Sequence, residues 1–178
     1  IINATHPAAR GARGVTIRRI LEVSQHALAQ LLPGRLPACP HGDVGLGRFS
    51  YVTLDGQVVV RSEMVSGIPG GCATHDGADG LGTSCVGVSN VPVEVLERSL
   101  PVRVRRYEYV PDTSGPGKYR GGLAITREWE IMAPEMRLTF RSDRRKFPPW
   151  GLEGGGEGKT SQILLKSGEI EQLLPTKV

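Results

Sequence analysis

Three glycine-crowded stretches, Gly67 to Gly87, Gly115 to Gly122 and Gly151 to Gly158, interrupt this chain and constrain every fold it can adopt. Glycine supplies 24 of the 178 residues, about twice the usual share of roughly 7%. With 13 prolines added, loops must make up a large part of the structure. The first stretch carries almost no periodicity, which marks either a long functional loop or backbone threading past a ligand. No collagen period is present, and no apolar run approaches the ~18 residues that a membrane-spanning helix needs. A content of 39% hydrophobic and 22% charged residues is that of a globular chain, and the length suits a single domain.

Between the loops, periodicity assigns the elements. Ile17, Ile20, Leu21, Val23, Leu28, Leu31 and Leu32 recur at helical spacing and predict a helix over Thr16 to Leu32, with Thr16 as N-cap and Pro33-Gly34 as the stop. Arg18 and Arg19 would then sit in its first turn, the wrong end of the helix dipole for cations. They are either solvated or answered by an acidic neighbour or ligand. Phe49 to Leu54 and Gln57 to Val65 flank Asp55-Gly56, a two-residue hairpin signal. Pro92 to Arg98 reads as a short helix, Val102 to Pro111 as an extended stretch, and strands are expected at Leu123 to Met132, Met136 to Arg141, Gln162 to Leu165 and Ile170 to Leu174. The class is α+β: one main helix in a lead-in over 1–45, followed over 46–178 by a mostly antiparallel β-rich region with long glycine loops. A small sandwich or barrel is the expected form of that region.

The net charge is only +4, a weak pull toward nucleic acid, and no nucleic-acid or membrane partner is expected. Three cysteines, Cys39, Cys72 and Cys85, cannot all pair within one chain. They indicate a reducing compartment, with the cytoplasm as the expected location. Ile1, Ile2, Asn3 and Ala4 include no initiator Met or signal-peptide pattern, so the start reads as cut from something longer.

Several motifs fail on inspection. Gly154 to Thr160, GGGEGKT, lacks the earlier glycine of a phosphate loop and precedes a strand-like run rather than a helix. Cys72, His75, Asp76 and Cys85 match no zinc spacing, and no metal ligand is assigned. There is no G-x-S-x-G elbow, and Asp112 to Gly115 only scrambles the aspartic protease order. Arg141, Arg144, Arg145 and Lys146, beside Phe147 and Trp150, form a cluster that either binds phosphate or bases or is paired and solvated. Glu94 and Glu97 share one helix face, suited to acid or base work or to holding arginine side chains.

The order of the remaining motifs carries a resemblance. Gly70-Gly71 with Asp79-Gly80, Asn90 to Glu97 (NVPVEVLE), Arg106-Tyr107-Glu108, Asp112 to Leu123 (DTSGPGKYRGGL), and Arg144 with Pro148 to Leu152 and Gly154-Gly155 follow one another along nearly the whole chain. Pro7-Ala8-Ala9, Thr16 and Ala27 to Gln30 precede them. The set resembles the C-terminal part of the hydantoinase B and oxoprolinase family. Ala73-Thr74-His75 stands where the family usually has Gly-Ala-Arg, and the front half, where a family metal site with His and Asp ligands is expected, has no counterpart.

The resemblance implies ATP-dependent opening of a cyclic amide such as a hydantoin or 5-oxoproline, with acetone carboxylation as related chemistry. It implies ATP and Mg²⁺ handled by a hydantoinase A-like partner subunit, with neither bound by this chain alone. The other expected partners are the missing N-terminal half of the B-type chain and the small cyclic amide itself. It also places catalysis on Asp79 and Arg120, and substrate contact on Gly70, Gly71, Gly121, Gly122 and Arg145. In that picture Arg120 and Arg145 steady phosphate or carboxylate charge, and the amides of Gly121 and Gly122 approach an oxyanion. The alternative for Asp79 and Asp112 is that they only hold loops, by accepting from nearby backbone amides, and take no part in catalysis. The competing reading is a non-catalytic β-rich scaffold that mediates subunit association.

Overall fold

A computed structural model describes residues 3, 5–8, 13–41, 45–65, 67–82, 87 and 89–175. The order of elements is α1 (Arg13–Ala29), β1 (Gly45–Val52), β2 (Val58–Val65), α2 (Val93–Ser99), β3 (Val102–Val110), β4 (Ala124–Ile131), β5 (Arg137–Arg141), β6 (Leu164–Ser167) and β7 (Ile170–Leu173). The fold is mixed α+β and rich in strands. Among the described residues the strands form three antiparallel sheets, β2-β1-β5, β3-β4 and β6-β7, rather than one sandwich or barrel. The first glycine loop follows β2, the second joins β3 to β4 within one sheet, and the third lies between β5 and β6. No helix among the described residues is long and apolar enough to cross a membrane.

The β1-β2 hairpin pairs from Gly45 with Val65 to Val52 with Val58. Its turn is longer than the two-residue expectation. Thr53 N donates to Gln57 O at 2.9 Å, and Gly56 N to Thr53 O at 2.9 Å. Gly56 takes φ +82°, the glycine-favoured position of a three-residue loop. Phe49 from β1 is fully buried and meets Leu96 and Leu100 around α2 and Val102 of β3 in the apolar core. Trp129 of β4 packs its ring edge-on to Phe49, with centroids 5.8 Å apart. The core therefore sits where β1, α2 and the β3-β4 pair meet.

Helix α1 corrects two expectations. It begins at Arg13, so Thr16 lies inside it rather than at its cap, and Arg18 and Arg19 lie beyond the first turn. The apolar spacing reports the apolar stripe of the helix, and Arg13 and Gly14 carry no start signal of their own. The helix is also turned inside out: its buried residues are Glu22 and His26. Ile17, Ile20, Leu21, Leu28, Leu31 and Leu32 are exposed. Arg19 nonetheless pairs with acidic neighbours, Glu22 at 2.5 Å and Asp143 at 3.1 Å.

Candidate functional site

The glycine loops are laced to one another backbone to backbone. Ala38 N donates to Gly71 O at 2.8 Å, Gly77 N to Arg120 O at 2.8 Å, and Gly122 N to Pro69 O at 3.1 Å. A Cβ on Gly70 would lie 2.2 Å from Ala38 O, and one on Gly77 would lie 2.6 Å from Gly122 N. Side chains at these positions would hold the loops apart. The third loop joins the second in the same way: Gly156 N donates to Pro116 O at 2.7 Å, and Lys159 N to Thr113 O at 3.0 Å. Thr113 secures the exit of the second loop, donating through Oγ1 to Val110 O at 2.7 Å and accepting from Ala124 N at 2.9 Å.

Asp79 and Arg120, on different loops, meet at this junction. Arg120 Nη1 donates to Asp79 Oδ1 at 2.8 Å and Nη2 to Oδ2 at 3.0 Å, a two-pronged pair of the stronger kind. Asp79 Oδ1 also accepts from Leu123 N at 2.7 Å, and Arg120 Nη1 donates to Gly121 O at 2.8 Å. Asp76 Oδ1 accepts from the Arg120 backbone amide at 2.9 Å. The hydrogen bonds from Arg120, then from the Leu123 amide, hold the Asp79 carboxyl below its ordinary range, so it stays ionised. Pairing with Asp79 likewise strengthens the hold of Arg120 on its proton. The guanidinium remains partly exposed and borders a recess of about 570 Å³ with Asp112, Glu157 and Lys159.

Gly70, Gly71, Gly121 and Gly122 line an adjoining open cleft of about 1450 Å³, together with Cys39 and Trp150, and Ser114, Pro116, Gly117 and Lys159 border both hollows. The Gly121 amide donates to Gly115 O at 3.1 Å, and the Gly122 amide is the one held by Pro69. An oxyanion at either would have to displace an internal bond. Arg145 borders neither hollow and donates instead to Leu174 O, at the end of the β6-β7 hairpin. The structure thus brings Asp79 and Arg120 together, gathers the four glycines in the cleft, and leaves Arg145 with the C-terminal hairpin.

Within the basic cluster Arg144 turns inward, whereas Lys146 is exposed beside Phe147. The Arg144 side chain is almost wholly buried and donates to Glu22 at 3.2 Å and to Cys39 Sγ at 2.8 Å. Its guanidinium lies over Trp150, 5.0 Å from the ring centre. The sequence gives no sign of this polar patch, because Glu22 and Arg144 are 122 residues apart. Glu97 accepts from Val104 N at 2.8 Å and so anchors β3 to α2. Cys72 N donates to His75 O at 2.9 Å, whereas Cys85, like Ile1, Ile2, Ala4 and Ala9, lies outside the described residues. Among the described residues no group of three or more His, Cys, Asp and Glu side chains could hold a metal ion.

The comparisons with known proteins fit this arrangement of motifs. The family model described as hydantoinase B/oxoprolinase matches residues 1–177. The chain belongs to the hydantoinase B/oxoprolinase family. It is 30% identical, over its whole length and 30% of the relative's, to the B subunit of a putative D-/L-hydantoinase of Pseudomonas sp. (strain NS671). It is 31% identical to the 5-oxoprolinase PfmaA of Pestalotiopsis fici over 56% of this chain and 8% of that protein. The beta subunit of a caprolactamase of Pseudomonas jessenii is 30% identical over 58% of this chain and 17% of that protein. The chain spans about 30% of the length of the first relatives it matches.

In Ala73-Thr74-His75, Thr74 Oγ1 pairs with His75 Nδ1 at 3.0 Å on the exposed surface. At the edge of the cleft, burial pushes the pKa of His41 down from 6.5 to about 4, with Arg144 and Arg19 adding repulsion. The unfolded chain then takes up a proton near pH 6.5 that the folded chain refuses until about pH 4. Stability is complete above pH 6.5 and falls as the pH drops through that window. The expected loss is about 3 kcal/mol by pH 4. Urea melts across that range should show the slope in the native chain and lose most of it in His41→Asn; an unchanged slope would place the acid sensitivity elsewhere.

Proposed function

We propose that this chain is part of an ATP-dependent cyclic-amide hydrolase that opens a hydantoin or 5-oxoproline ring. The observation that carries the reading is the Asp79–Arg120 pair where the glycine loops meet. Family membership supports it, as do relatives named as a hydantoinase, a 5-oxoprolinase and a caprolactamase. Asp79 fixes the fork of Arg120, and the exposed part of the guanidinium can hold the charge of a carboxylate or of the opening ring's oxygen. Gly70 and Gly71 give the substrate a wall without side chains at the cleft. The free thiols of Cys39 and Cys72 support a reducing, cytoplasmic setting.

The GGGEGKT loop does not fit a triphosphate. Its Gly155, Gly156, Gly158 and Lys159 amides donate to Leu152, Pro116, Pro149 and Thr113 carbonyls, so the donors that would cradle phosphate are already engaged. No step on this chain is therefore routed through ATP, which in this reading is bound by a hydantoinase A-like partner.

A specific observation favours a second reading, a scaffold: Asp79 and Arg120 also tie down Leu123 N and Gly121 O, so the pair can serve solely to clamp loops. Assay of the native assembly on hydantoin and 5-oxoproline, with and without ATP, tests the first reading. Ring opening that requires ATP is the expected result. An assembly that opens neither ring under either condition would leave the scaffold.

A further inference from the structure

The buried patch around Arg144 ends on an indole that opens onto the cleft. Trp150 borders that hollow and is 40% exposed, so part of its surface is left bare. The rest is held. The Arg144 guanidinium lies over the ring at 5.0 Å, and the His26 ring meets it edge-on with centroids 5.0 Å apart. Arg144 and its partner Glu22 are 8% and 5% exposed at their side chains, and Glu22 Oε1 and Arg144 Nε have no hydrogen-bond partner. A buried ion pair with polar atoms left over adds little net stability, so stability does not account for it. What the pair does do is fix a planar cation against the indole. The backbone is fixed as well: Gly158 N donates to Pro149 O at 2.9 Å, and a Cβ on Gly151 would lie 2.3 Å from Gly155 O.

The indole and the glycine wall are tied to one another. The consecutive amides of Ala38 and Cys39 donate to Gly71 O at 2.8 Å and to Trp150 O at 3.2 Å, so one two-residue segment joins both to the same hollow. Neither Gly70 nor Gly71 has room for a side chain, since a Cβ there would lie 2.2 Å from Ala38 O or 2.5 Å from Tyr119 O. A rigid aromatic surface beside a wall of bare backbone suits a small flat ring, whose face packs on the indole and whose edge reaches the glycines. We infer that Trp150 is the platform against which the flat amide ring of the substrate rests. Arg144, which touches Trp150, and Glu22, which touches Arg144, are positioning residues. The inference rests on reading the chain as part of a cyclic-amide hydrolase and adds the residue that holds the ring. The cleft adjoins the recess beside Arg120, so a ring on Trp150 lies next to the charge that would meet it. Once opened, the product is a flexible chain without a flat face, and its hold on the indole is lost.

The test is fluorine NMR of the assembled enzyme labelled with 5-fluorotryptophan, without ATP. It is titrated with hydantoin, with 5-oxoproline, and with their ring-opened products N-carbamoylglycine and glutamate. Trp150→Phe assigns the resonance. The Trp150 line should shift saturably with at least one ring and stay still with both open chains. In turnover assays Trp150→Leu should raise KM about tenfold while kcat stays within about twofold. Arg144→Lys keeps a charge for Glu22 but loses the planar cation, so it should move the Trp150 line before any ligand is added and raise KM in the same direction. A Trp150 line unmoved by either ring would overturn the inference, and that titration depends on no variant's kinetics. Equal shifts from a ring and its open product would overturn it too, by making the indole a general apolar surface. If Arg144→Lys left both the line and KM unchanged, the positioning role would be wrong. A line that shifts in an enzyme that opens neither ring counts against the proposed function alone, and ring opening with the line unmoved counts against this inference alone.

Discussion

Replacing Glu63 with alanine is expected to destabilise the chain by about 3–5 kcal/mol, because it strands a buried guanidinium. Glu63 on β2 and Arg127 on β4 are 0% and 1% exposed at their side chains and meet at 2.5 Å. They join two sheets that share no strand pairing. Arg127 also donates to Val91 O at 3.1 Å and lies 4.6 Å from the centre of the Tyr107 ring. Burial pushes the Glu63 carboxyl up and Arg127 pulls it back. The pair is therefore a pin that is costly to break rather than a large net source of stability. Removing both charges, as Glu63→Met with Arg127→Met, should recover most of the loss, since neither partner is left alone. Urea denaturation of the single and double variants checks this. A single-variant loss under about 1 kcal/mol would mean that water reaches the pair.

The second large effect separates neighbouring glycines. In Gly122→Ala the new methyl would lie 2.3 Å from Ala78 O and 2.5 Å from Ile68 Cγ2, whereas in Gly121→Ala the nearest atom is 3.5 Å away. One substitution forces backbone apart and the other makes only ordinary van der Waals contacts. Gly122→Ala should cost about 3 kcal/mol, the upper end of overpacking, because carbonyl backbone cannot swing aside like a side chain. Gly121→Ala should stay within about 0.5 kcal/mol. Thermal melts of the two variants decide it. Equal losses would show that the loops adjust, and the close approach of 69–80 to 115–123 would then not be what requires glycine.

That contrast also shows how much was legible in the sequence. Local pattern placed the elements well: β3 from Val102 to Val110, β4 within Leu123 to Met132, α2 one residue from Pro92 to Arg98, and the glycine stretches as irregular loops. Periodicity also found α1, but it cannot say which face of a helix is inside. The apolar arc of α1 faces outward because the neighbours of its polar face include Asp143 and Arg144, which come from far along the chain. Glu63 and Arg127 escaped notice for the same reason: an isolated acid in a strand looks solvated until the opposite sheet supplies its partner. The meeting of Asp79 with Arg120 across 41 residues followed from no spacing rule. Both were singled out through the family's motif order, and only the fold joins them.

The most direct test of the proposed site is the turnover of the assembled enzyme carrying Arg120→Lys, measured on a hydantoin and on 5-oxoproline with ATP present. Lysine keeps the charge but lacks the planar fork that Asp79 grips. If Arg120 stabilises charge as the ring opens, kcat should fall about 100-fold while native mass and subunit content stay unchanged. An unaltered kcat with the assembly intact would contradict a catalytic Arg120, and loss of the assembly itself would assign the residue to the scaffold.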